Sequence, residues 1–97
     1  MDGNQGCGDR AVCGTHLPSW AGLRVVTVPP GGERPFDAAE WRGALVLVEA
    51  GTIELDCLGG SRERFGHGDV LWLDGLPVRA LRNPGQAPAR LVAISRR

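Results

Sequence analysis

The sequence predicts an all-β domain, a small barrel or sandwich of about eight short strands. Three observations carry that prediction. The chain has 97 residues, 15 of them glycine and 7 proline, which leaves little room for long helices. Its apolar segments are short and either β-branched or alternating in polarity, the period of a strand. Turn signals separate those segments at intervals of about 8–12 residues, the spacing of a strand-turn-strand architecture. A chain of this length is one domain with a small core.

Residues 1–19 are rich in glycine and lack periodicity, so a loose arm is expected there, with the barrel over residues 20–97. Trp20 is the first large apolar anchor. Leu23–Val28 (LRVVTV) reads as a strand that stops at Pro29-Pro30-Gly31-Gly32. Phe36–Arg42 is ambiguous between one helical turn and a short edge strand, and the edge strand is preferred. Ala44–Ala50 (ALVLVEA) is the strongest strand, its continuous apolar run implying cover on both faces. Thr52–Cys57 alternates, with Ile53, Leu55 and Cys57 on one face and Thr52, Glu54 and Asp56 on the other. Gly59-Gly60 suits a tight hairpin returning through Ser61–Phe65. Gly66-His67-Gly68-Asp69 and Asp74-Gly75 are turns around Val70–Leu73, and Asn83-Pro84-Gly85 divides the last strands, Val78–Asn83 and Arg90–Ser95.

Composition excludes several function classes. Eleven basic residues, all arginine, balance eleven acidic ones, so the chain lacks the basic excess of a nucleic-acid binder. No apolar run reaches the ~20 residues of a membrane span, and residues 1–14 are too polar for a signal peptide. Three cysteines without a secretory signal read as free thiols of a cytoplasmic protein. Cys7, Cys13 and His16 offer zinc-ligating types, but at a spacing that matches no standard site, and free thiols in the arm are the plainer reading. Gly6-Cys7-Gly8 is no nucleotide loop, because no strand precedes it and no helix follows.

From Leu23 onward the chain resembles the cupin superfamily, small jelly-roll barrels, most specifically over residues 46–83. The second cupin motif runs from a glycine to an asparagine, and Gly68 and Asn83 fall at its two ends. Asp74 and Leu76 replace its proline and glycine, and counting back from Asn83 puts Arg79 at its histidine. Gly51 fits the glycine that closes the first motif. Counting back from it places Ala44 at the glutamate and Asp37 and Ala39 at the two histidines. The resemblance implies the jelly-roll fold without the family's metal chemistry: alanine cannot coordinate, and a guanidinium repels a cation. No cofactor or metal is therefore expected, with Asp37 at best a lone carboxylate.

The candidate ligand-binding residues are Arg79, Asp37, Trp41 and Trp72. Arg79 is expected to enter the barrel, paired with Asp37, Glu40 or Glu49, or meeting the carboxylate or phosphate of a small ligand. Trp41 and Trp72 could stack on a ring, although core packing is the commoner role of such residues. Cys57 reads as a buried, inert thiol, His67 as a solvated turn residue, and Arg62 and Arg64 as a solvated face opposite Glu63. The leading expectation is a non-catalytic, metal-free module, a sensor or accessory subunit that binds a small ligand or a protein. A metal-independent isomerase using Arg79 and a carboxylate is the alternative, with a metal-dependent enzyme behind it. A homodimer is expected too: a water-facing sheet would expose either Leu45 and Leu47 or Val46 and Val48, unless the arm with Trp20 folds over them.

Overall fold

The structure is a computed structural model, and it describes residues 19–96. All but the last residue of the expected arm, with Cys7, Cys13 and His16, therefore lies outside the described residues. Eight strands form: β1 (Ala21–Val28), β2 (Glu33–Pro35), β3 (Leu45–Ala50), β4 (Thr52–Cys57), β5 (Arg62–Gly66), β6 (Val70–Trp72), β7 (Val78–Arg82) and β8 (Ala89–Arg96). Between β2 and β3 lies α1 (Ala38–Trp41), a single helical turn where the sequence reading preferred an edge strand. The helix wins because Asp37 caps it, its carboxylate accepting from Ala39 N–H at 3.0 Å.

The strands build two antiparallel four-stranded sheets, ordered β1-β8-β3-β6 and β2-β7-β4-β5. Apart from the β4–β5 hairpin, sequence neighbours alternate between the sheets in the jelly-roll manner, so the expected all-β cupin-like fold is the observed one. Alternation directs Val26 and Val28, Val46 and Val48, and Ile53 and Leu55 into one core with Leu71, Leu73, Leu81 and Leu91. Each such side chain contributes about 1.5–3 kcal/mol by leaving water. Asn83, the polar residue at the end of the second motif, is fully buried. Its amide donates to the carbonyls of Val28 at 2.9 Å and Ala87 at 2.8 Å, and its oxygen accepts from Gly85 N–H. It thereby ties the end of β1 to the β7–β8 loop. Among the described residues no helix is long and apolar enough to cross a membrane.

Candidate functional site

The two sheets meet along two seams, and the seams differ. On one side β1 and β2 are the edge strands. Arg24 shares the inward parity of Val26 and Val28, while Arg34 stands opposite the core residue Leu81. Both guanidiniums converge on Glu40 of α1. Arg24 donates to Glu40 Oε2 at 2.9 Å and to its backbone carbonyl at 2.8 Å, and Arg34 donates to the same Oε2. Arg24 also lies over the Trp41 ring, 4.8 Å from its centroid. One carboxylate thus latches two edge strands together, and this seam is closed. Arg34 Nε and Trp41 Nε1 are buried there without a hydrogen-bond partner.

The opposite seam, between β5 and β6, is open. It holds a cavity of about 400 Å³, within the usual range for small-molecule sites. The inward parity of β4, β5 and β6 supplies Leu55 and Cys57, Glu63 and Phe65, and Leu71 and Leu73, with Ser61, Leu76 and Pro77 from the adjoining turns. Glu63 is the charged residue of this lining, beside the Ser61 hydroxyl and the Cys57 thiol.

The four expected ligand-binding residues do not come together. Arg79 does not enter the barrel: it lies half-exposed on the outer face of the second sheet and donates to Asp56, with Glu33 at 3.3 Å. The cause is a β-bulge. Asp56 pairs with Ala80 and Cys57 with Val78, which leaves Arg79 as the extra residue. Val78 takes the inward position instead. Asp37 is exposed at the cap of α1. Trp41 is 1% exposed and packs in the core, so it offers no face to a ligand. Trp72 alone lines the cavity, at its rim on the edge strand β6.

On that outer face Glu54 and Asp56 are nearly buried beneath arginines. Arg64 (3.3 Å) and Arg82 (3.4 Å) meet Glu54, while Arg62 (3.8 Å) and Arg79 meet Asp56. The hydrogen bond from Arg79 holds the Asp56 carboxyl below its ordinary value, against the opposing effect of desolvation, and pushes Arg79 up in turn. Arg62 and Arg64, expected as a plain solvated face, are the lid over two carboxylates.

A cupin metal needs imidazole nitrogens and a carboxylate converging inside the barrel. Here Ala39 and Asp37 lie on and before an exposed helix, Ala44 is a core residue and Val78 fills the inward place of the second motif. These residues do not fit a bound metal. Sequence reasoning missed Arg24, Arg34 and the cavity role of Glu63. The parity of Arg24 with Val26 and Val28 was an available signal, and so was the parity of Glu63 with Phe65.

Comparison with known proteins agrees with the fold. No curated protein matches the chain. Among solved structures it is similar to a cupin 2 conserved barrel domain protein from Salinispora arenicola (20% identity, TM-score 0.59), covering 82% of this chain and 66% of that one. It is similar also to a sugar phosphate isomerase of the cupin superfamily from Silicibacter pomeroyi (24%, 0.59), covering 81% and 52%. A third is the cupin domain of an XRE-family transcriptional regulator from Enterobacter cloacae (19%, 0.56), covering 84% and 90%. The chain thus spans between half and two-thirds of the first two structures. The family model described as "Cupin domain" matches residues 24–95, nearly the whole of the described barrel. With its jelly-roll strand order and the Gly68–Asn83 motif, the chain belongs to the cupin family.

Proposed function

We propose that the chain is a binding module, a sensor or accessory subunit, that holds a small and mainly apolar molecule in the cavity between β4, β5 and β6 without catalysis and without a metal. The observation that carries this is the cavity lining: Leu55, Phe65, Leu71 and Leu73 make the walls, and Glu63 supplies the charge. The exposed Glu63 carboxylate at the edge of an apolar cavity disfavours an anion, so the ligand is neutral or cationic, and the anionic ligand expected of an inward Arg79 is set aside. The isomerase alternative needed Arg79 and a carboxylate facing one pocket, and the pair lies outside the barrel. No histidine, arginine or tyrosine is among the lining residues, and these are frequent partners in acid–base chemistry. The similar structures include both an isomerase and a domain of a transcriptional regulator, so the fold hosts either class and the site decides.

The test is a titration with Nile red, a neutral apolar dye, against the full chain. The expected result is saturation at one dye per chain, lost on Cys57→Phe, which fills the cavity, and kept in Leu45→Glu, which alters a separate surface. Thermal unfolding checks that both variants fold. Binding that survives Cys57→Phe overturns the cavity as the site.

A further inference from the structure

The open seam between β5 and β6 is a slot tied at both ends. At one end the turn that joins the two strands is pinned to β3: Gly68 N–H donates to the Val48 carbonyl at 2.8 Å, and Val48 N–H to the Asp69 carbonyl at 2.9 Å. At the other end Leu58 N–H donates to the Pro77 carbonyl at 2.8 Å, which joins the β4–β5 turn to the loop before β7. Between these ties Glu63 of β5 and Trp72 of β6 line the slot from the two facing strands, equally far along the chain from the turn's ends, Gly66 and Asp69. Glu63 pairs across the ladder with the core residue Leu55, so its side chain leaves from the inner face of the strand. Its sequence neighbours Arg62 and Arg64 point the other way and meet Asp56 and Glu54. Among the described residues Glu63 itself has no ion-pair partner. Trp72 belongs by parity to the apolar outer face of the first sheet, opposite Leu45, but on its edge strand it lines the cavity too.

We infer that the cavity selects an organic cation, an ammonium group carrying an apolar chain, an inference that rests on the cavity being the binding site. The positive head sits at the mouth between Glu63 and Trp72, and the apolar body fills the slot against Leu55, Leu71 and Leu73. Three features favour this occupant over a neutral one. The carboxylate has no cation of its own among the described residues, and the lining contains no basic side chain to compete. Aromatic rings stand on both facing strands, Phe65 on β5 and Trp72 on β6, and the face of such a ring attracts a cation. Glu63 and Trp72 are both exposed, so the head group keeps part of its hydration and no charge has to be carried into the core.

The experiment is isothermal titration calorimetry on the full chain with hexyltrimethylammonium, 1-heptanol and heptanoate, ligands of similar length and different charge. The ammonium should bind about fivefold or more tighter than the alcohol, the combined effect of an exposed ion pair and a ring contact, with heptanoate weakest. Glu63→Gln should weaken the ammonium about threefold and leave the alcohol unchanged, and Glu63→Lys should move the preference to heptanoate. Glu33→Gln removes the same charge from the outer face of the second sheet and should change nothing. Equal affinity for ammonium and alcohol overturns the inference, and Nile red binding that is still lost on Cys57→Phe then leaves the cavity as the site. An ammonium preference that survives both Glu63→Gln and Cys57→Phe overturns it as well, placing the cation elsewhere. If none of the three ligands binds while Nile red does, the inference alone falls; if Nile red fails too, the cavity reading falls with it.

Discussion

At Gly51 the chain passes so close to the β7–β8 loop that a methyl group would lie 2.6 Å from the Pro88 carbonyl oxygen and 2.8 Å from Ala89 Cα. Both are backbone atoms, which cannot swing aside as a side chain can. The φ of +76° adds a second objection to any side chain there. Gly51→Ala should therefore cost about 2–4 kcal/mol, read as a lower midpoint in urea unfolding. Gly68 separates the two causes. It has φ +93° with open space around its Cβ position, so Gly68→Ala should cost only the conformational part, about 1–2 kcal/mol. Equal losses at the two sites would mean that the contact with Pro88 is not limiting. Gly51 was legible in the sequence as a strand end and motif glycine. The reason for it was not, because the crowding comes from residues almost forty positions away.

The strand is the scale at which the sequence reading of Arg79 failed, and the failure is instructive. Counting back from Asn83 assumes unbroken alternation, and under that assumption Arg79 and Leu81 share a face. An arginine and a core leucine on one face of a short strand is itself the sign of an extra residue. The bulge resolves it, turning Arg79 outward and Val78 inward. The alternation of β4 was read correctly, yet its polar face is covered and not wet, because cross-strand arginines on β5 and β7 were invisible to a single-strand reading. Asp56 supplies the test at this scale. Its folded-state carboxyl titrates below its ordinary value, chiefly through the Arg79 hydrogen bond. Its contribution to stability is thus complete above the ordinary carboxylate range and lost as pH falls through the depressed folded value. Asp56→Asn should remove that part of the acid dependence, leaving a flatter stability profile below about pH 4 than the parent chain has. Superimposable acid limbs for the two proteins would rule out the pair as its source. Arg79→Leu should flatten the same limb, since it removes the group that lowers the Asp56 value.

For the whole molecule, the closed and open seams divide the labour of one barrel. Strand number, turn placement and jelly-roll class were legible because each rests on local signals. The latch at Glu40 and the cavity at β5–β6 were not, since both depend on which strands end up as edges. The placement of the three tryptophans has an optical consequence. Trp41 is shut inside beneath a guanidinium, Trp72 stands on the apolar face at its β6 edge, and Trp20 stands exposed under Arg96. Each indole therefore reports a different event. In the folded chain the half-exposed Trp72 should emit to the red and be open to collisional quenching by iodide. The Trp41 emission should stay blue and protected until the barrel unfolds. Trp72→Phe should remove part of the iodide-accessible emission while leaving the unfolding response intact, and an accessible fraction unchanged without Trp72 would assign it to Trp20. The protein thus carries its own two-channel reporter, exposed indoles for its surface and one buried indole for folding.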